Sequence, residues 1–257
     1  GITVEGANLL TKHMIIFGQG VMRCHPNLGK LFQSILKDDF KQFDKLLSKQ
    51  ARLFCKKSFK AYWRCLGFSG LRKIKKTKKN KDKNKNIKNY QKHIDKMSLR
   101  LSILVDIALM KYGPKIKQQE RISGRFADIW GHLFLACAVM KYFKANGGQA
   151  QEEVLLHWCV SYCLYQAQEA MFELFANMDS KLLFFMRRVL FPWVRVYKYP
   201  SDKLDQKLLD VIRVENSFRS RLKDNLGIDK ARFNLLSELE DAFVLHQKLE
   251  PVWGKIK

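Results

Sequence analysis

The chain has 257 residues, of which 47% are hydrophobic, with only five prolines and fourteen glycines. That content supplies a buried core, excludes global disorder and leaves room for long helices. The formal charge of +24 favours anionic partners, whether nucleic acid, anionic lipid or cofactor phosphates, without choosing among them.

In chain order the pattern is helical almost throughout. Leu9, Leu10, His13, Phe17, Gly20, Val21 and Cys24 recur at helical spacing, with Asn8 as N-cap and Pro26 as stop. Leu28, Leu31, Phe32, Ile35 and Leu36 mark a second helix, and a third runs from about Asp39 to Leu66 with a break expected near Gln50. The composition then changes. Leu71 to Lys92 holds ten lysines, one arginine and one aspartate, with only Leu71, Ile74, Ile87 and Tyr90 large and apolar. This reads as a solvated loop or disordered insert, with helix resuming near His93.

Leu99, Ile103, Asp106, Ile107 and Met110 share one stripe, ended by Gly113-Pro114. The next helix spans about Ile116 to Asn146, and its stretch from Phe126 to Phe143 is apolar almost all round, which predicts a central buried helix. Gly147-Gly148 reads as C-cap and turn. Glu152 to Asn177 forms its partner, followed by Lys181 to Leu190 and by Lys203 to Val214 after the Pro200-Ser201-Asp202 turn. A last helix covers about Lys230 to Glu250. The predicted fold is therefore all-α, an antiparallel helical bundle with a long basic disordered insert.

Gly1-Ile2-Thr3-Val4 carries no initiator methionine and is neither a signal nor a transit peptide, so the sequence reads as a cut or internally started chain. The longest apolar run, Leu133 to Met140, falls well short of the ~20 residues that span a bilayer. Cys24, Cys55, Cys65, Cys137, Cys159 and Cys163 form no CxxC pair. They read as buried free thiols of a reducing, cytoplasmic compartment rather than as metal ligands. His13, His25, His157 and His246 are scattered on separate helices and read as packing or hydrogen-bonding residues. Arg121, Arg125 and Asp128 share a helix face, either as an anion or interface site or as an intrahelical ion network. The lysine run has Tyr90 as its one aromatic, so it lacks the stacking residues of a single-strand nucleic-acid site.

The candidate for chemistry is Glu5-Gly6 at the opening of the first helix. A helix N-terminus favours an ionised carboxylate and an apolar site disfavours it, opposed influences that make a glutamate usable as a base. The bland alternative is an electrostatic cap. Glu5-Gly6 ahead of a long amphipathic helix resembles the Glu-Gly-Thr element of acyl-CoA dehydrogenases. Val4 to Thr11, Ile15 to Gly20 and Arg23-Cys24-His25-Pro26 resemble more closely the long bacterial members of fatty-acid β-oxidation. Glu120 to Ser123 with Arg125 and Asp128, His157-Trp158, Leu164 to Ala167, Phe191-Pro192 and Tyr199 to Asp205 resemble that group's C-terminal extension. The shorter members have threonine and glutamine where Ala7 and Leu9 stand here.

The resemblance implies residues 1–26 as the end of a helical catalytic domain and 27–257 as the bacterial-type extension. It implies that Glu5 removes the α-proton of an acyl-CoA thioester while its backbone N–H donates to the thioester carbonyl, and that Gly6 allows close approach of FAD. The β-hydrogen leaves as hydride to the flavin, giving a trans-2-enoyl-CoA. It further implies electron-transferring flavoprotein as acceptor, a homodimer, and inactivity of this chain without the domains that complete the flavin site. The contrasting expectation is a non-catalytic basic module that docks to membrane or partner protein. Lys181 to Tyr199 combines five basic residues with eleven large apolar ones and no acid, which suits either an interfacial helix on the inner face of the cytoplasmic membrane or a core helix whose cations reach water.

Overall fold

A computed structural model of the chain describes residues 2–12, 20, 27–66, 83–149, 152–192, 195–213, 219–221, 223 and 235–256. Among these residues the chain is helical and contains no strand, as the 3.6-residue periodicity predicts. Residues 1–204 form one unit and 205–257 a second.

In the first unit, α1 is Ile2–Leu10. It begins ahead of Asn8, which is an interior residue rather than the expected N-cap; Pro26 lies outside the described residues. Helix α2 (Leu28–Leu36) turns into α3 (Phe40–Leu66) through Asp38, whose φ of 53° is one an aspartate tolerates better than most side chains. The Asp39 carboxylate then accepts the Gln42 N–H at 3.0 Å and caps α3. Helix α3 does not break at Gln50. Instead the Gln50 amide accepts from Asn27 at 2.8 Å and donates to the buried Asp106 at 3.0 Å, and Lys57 pairs with the second Asp106 oxygen at 2.8 Å. This part-buried polar network ties α3 to α4 (Lys83–Tyr112).

Helix α4 corrects the largest sequence expectation. It starts at Lys83, so the second half of the supposed loop is helical. Ile87 and Tyr90 are 7% and 1% exposed, and with Ile94 and Met97 they continue one stripe into the core. Apolar residues every three or four positions are enough to bury one face, and Lys88 and Lys92 between them stay exposed. Residues 67–82 lie outside the described residues. A Gly/Ser linker in place of 71–92 is therefore expected to lower unfolding free energy by at least about 3 kcal/mol, the scale of losing one large core side chain. Replacement of 71–82 alone is expected to change it by less than about 1 kcal/mol. Denaturant midpoints of the two variants decide this, and equal midpoints would remove Ile87 and Tyr90 from the core.

Gly113, at φ +52°, ends α4. A short 3₁₀ turn, Gly113–Gln118, separates it from α5 (Glu120–Ala145), and the Ser123 hydroxyl donates to the Ile116 carbonyl at 3.0 Å. The expected single helix from Ile116 is thus split at Gln119. Gly147 and Gly148, at φ +74° and +62°, make the turn into α6 (Glu152–Asn177), which pairs with α5 as a helical hairpin. Helix α5 buries Phe126, Ile129, Leu133, Ala136, Met140 and Phe143, but Trp130, Phe134 and Leu135 are exposed. It is therefore half-covered rather than enclosed. Helix α7 (Lys181–Leu190) starts at Ser180, whose hydroxyl accepts the Leu183 N–H.

The first residues of α8 (Asp202–Arg213) end the first unit. In the second unit, Arg219 forks onto both Glu240 oxygens of α9 (Leu235–Ile256) at 2.7 and 2.8 Å and lies 4.4 Å from the Phe243 ring. Residues 230–234, the expected start of α9, lie outside the described residues.

Candidate functional site

Glu5 falls in the first turn of α1 with an exposed side chain, and Gly6 follows half-buried. Just past the end of α1, Lys12 pairs with Asp128 of α5 at 2.6 Å. That contact brings the end of α1 to the face of α5 that also carries Arg125, which pairs with Glu173 of α6 at 3.1 Å. Asp128 and Arg125 therefore link different elements, and the intrahelical network expected for Arg121, Arg125 and Asp128 gives way to pairs across helices. Helix spacing alone cannot distinguish the two arrangements. As α1 begins at Ile2, Glu5 is its fourth residue, where intrahelical hydrogen bonding starts. A Glu5 N–H open to a ligand requires the helix to begin one turn later; an open carboxylate does not.

A concave feature elsewhere in the first unit was not visible in the sequence. A cleft of about 490 Å³ lies between α4, α6 and the extended segment that leads into α8. His93 of α4 and His157 of α6 line it, with Tyr197 to Ser201 along one side. One side chain anchors the backbone at the start of the segment. Gln168 of α6 accepts the N–H groups of Val196 and Tyr197 at 2.8 and 2.9 Å and donates to the Tyr197 carbonyl at 2.9 Å. An extended backbone without a strand partner has its hydrogen bonds satisfied in this way. The Tyr197 hydroxyl in turn meets His93 Nδ1 at 3.1 Å, and the Tyr90 hydroxyl meets His157 Nδ1 at 2.9 Å.

Burial, with help from Glu153, pushes the Tyr90 phenol up, so it stays protonated. Burial, reinforced by Lys96 and Arg100, pushes His93 down from 6.5 to about 4. The unfolded chain therefore binds a proton that the folded chain refuses, and His93's contribution to stability is complete above pH 6.5 and lost as pH falls towards about 4. The expected loss across that window is about 3 kcal/mol. His93→Gln should flatten the corresponding part of the denaturant-midpoint profile; an unchanged profile would mean that His93 is protonated in the fold.

The thiols differ from expectation. Cys163 is buried and Cys159 half-buried, but Cys55 and Cys137 are exposed; Cys24 is outside the described residues. Burial and neighbouring Cys159 push Cys163 up to about 11, and burial raises Cys159 and Cys137 too, so these three remain thiols at neutral pH. Among the described residues no group of three or more histidines, cysteines or carboxylates could hold a metal ion. His246 is exposed, while His13 and His25 lie outside the described residues.

With the helical fold and these positions established, comparison with known families is decisive. The family described as acyl-CoA dehydrogenase, C-terminal, bacterial type, matches residues 22–257. The chain belongs to this family. No solved structure matches it. The bacterial-type acyl-CoA dehydrogenase match includes α2 to α9 and both sides of the cleft, whereas Glu5 and Gly6 lie ahead of it. Residues from two of the motifs that carry the resemblance, His157 of His157-Trp158 and Tyr199, Pro200, Ser201 and Leu204 of Tyr199 to Asp205, come together at the cleft. Their separation in the sequence hid that meeting; the readable sign was Gln168, a polar residue on the buried stripe of Leu164, Ala167 and Met171.

Proposed function

We propose that this chain supplies the catalytic base and the C-terminal helical scaffold of an FAD-dependent acyl-CoA dehydrogenase that converts acyl-CoA to trans-2-enoyl-CoA in fatty-acid β-oxidation. The observation that carries this reading is the family match over residues 22–257. In it, residues 1–26 close the helical catalytic domain and 27–257 form the extension. Glu5 stands at the start of a helix, exposed, where its carboxylate can reach the α-carbon of a bound thioester and accept its proton. Gly6 has no Cβ to hold a planar ligand off the backbone. These residues fit one edge of a flavin site, and FAD, when bound, supplies the acceptor for the β-hydride. The Glu5 N–H stabilises the developing enolate oxygen once the first turn of α1 is open. Electron-transferring flavoprotein and a homodimer complete the proposal.

The test joins this chain to the flavin-binding and β-domains of such an enzyme and follows acyl-CoA oxidation with an artificial electron acceptor. The joined protein should be yellow and active, and the 257-residue chain alone colourless and inactive. Tight flavin binding by the chain alone, or no activity in a folded, flavin-loaded joined protein, would overturn the reading.

A peripheral membrane location belongs to the same proposal. Helix α7 buries Leu183, Met186 and Leu190 but leaves Phe184 and Phe185 at 75% and 66% exposed, with Lys181, Arg187 and Arg188 also exposed. The buried face is that of a core helix, and the exposed aromatic and basic face supports the interfacial reading. No helix among the described residues is long and apolar enough to cross a membrane. The outer face suits shallow insertion into an anionic surface, each basic residue adding ~1 kcal/mol. Flotation with anionic vesicles is expected, weakening in salt and falling when Phe184 and Phe185 become serine. Equal recovery of the double variant would remove α7 from the contact.

A further inference from the structure

We propose that the cleft between His93 and the Tyr197–Ser201 segment is a binding site for a small molecule carrying an oxyanion, a phosphate or a carboxylate. It is independent of the dehydrogenase reading, because no residue of the Glu5 site lines it. The lining is rich in polar side chains. His93, His157, Ser161, Lys198 and Ser201 all face the cleft, and no aspartate or glutamate does among the described residues. Each of these side chains can donate a hydrogen bond, and Lys198 brings a positive charge. A cavity with donors on both sides and no carboxylate is matched to an acceptor-rich anion.

His93 gives the cleft a built polar group rather than a chance surface one. The residue is 4% exposed. Its Nδ1 meets the Tyr197 hydroxyl at 3.1 Å, and its ring lines the cleft. In the tautomer whose Nδ1 accepts from the tyrosine hydroxyl, the imidazole proton resides on Nε2 and is available as a donor. The Tyr90 hydroxyl meets His157 Nδ1 at 2.9 Å and positions that ring at the cleft as well. Gln168 fixes the opposite wall through the backbone of Val196 and Tyr197, so Lys198 and Ser201 project from an anchored segment. The local field has the right sign: Lys96 and Arg100 both act against a positive charge on His93, and the same cations attract an anion. Val196, Pro200 and Leu204 supply an apolar wall for whatever carries the anionic group.

The test uses the 257-residue chain and two probes, inorganic phosphate and acetate, with the imidazole resonances of His93 and His157 followed by NMR. A saturable shift of both histidines is expected, with His93 becoming easier to protonate as the anion binds. Response to phosphate alone assigns a phosphate-bearing ligand; response to acetate as well assigns a carboxylate-bearing one. Lys198→Glu should weaken binding about tenfold or more, the scale of one charge-assisted contact. Lys144→Glu, an exposed lysine that does not line the cleft, should leave binding unchanged and controls for the high net charge. Both variants are to retain the wild-type melting temperature, so that a change in binding is not a change in folding. Absence of a saturable shift with either probe, or equal weakening by the two substitutions, would overturn the proposal.

Discussion

Glu5→Gln is expected to lower acyl-CoA oxidation by about 10³-fold in the protein that joins this chain to its flavin-binding domains, within the range that a positioned general base contributes. The amide keeps the shape and the hydrogen-bonding reach of the glutamate but cannot accept the α-proton. Flavin content and acyl-CoA binding should be retained, because Gly6 and the backbone of α1 are unchanged. That combination, a lost turnover with an intact complex, separates a base from a residue that only holds the helix end. Glu5→Asp should recover part of the rate, since it restores the carboxylate at the wrong distance. Turnover of Glu5→Gln within a few-fold of the parent would place the base elsewhere.

Gln168→Leu is expected to have the largest effect on stability. The substitution preserves volume but removes the acceptor for two backbone N–H groups and the donor for one carbonyl. Each unsatisfied buried group costs about 1–3 kcal/mol, so the total is on the order of 4 kcal/mol. A melting temperature lower by about 10 °C follows for a chain of this length. The Tyr197 hydroxyl would lose its placement against His93 at the same time, so the histidine resonance should move even where the variant remains folded. A fall of less than about 2 °C would mean that the segment from Val196 to Tyr197 finds other partners, and that Gln168 does not anchor it.

Much of this fold was legible. Helices α6 and α7 have the boundaries predicted from the sequence, and α8 begins one residue earlier than expected. Gly113 and Gly147-Gly148 were readable as helix ends because each occupies a left-handed conformation that other side chains resist. The failures share a cause. Composition outweighed periodicity at Ile87 and Tyr90, where many lysines masked a regular apolar stripe. Periodicity could not say what covers α5, because an apolar residue reads the same whether it is buried, as at Leu133, or exposed, as at Phe134. The candidate base was accessible only through resemblance, since a glutamate at a helix start is usually a cap. The cleft was not accessible at all. It depends on pairings such as His93 with Tyr197, which join residues far apart in the chain and leave no local pattern.

The start of α4 carries one more consequence. Lys83, Lys85 and Lys88 occupy its opening turns, and no acidic residue stands in the first. This is the end of a helix where cations are disfavoured by the aligned peptide dipoles. What holds these turns is contact with distant parts of the chain: Ile87 and Tyr90 in the core, and the Asn86 amide donating to Glu153 of α6 at 2.7 Å. An excised peptide of residues 83–100 should accordingly be mostly coil in dilute buffer. Within the intact protein, mobile ions that screen the three ammonium groups from the dipole and from one another should tighten this end of the helix. Added electrolyte, which loosens an ordinary surface ion pair, would here slow the local fraying of the backbone.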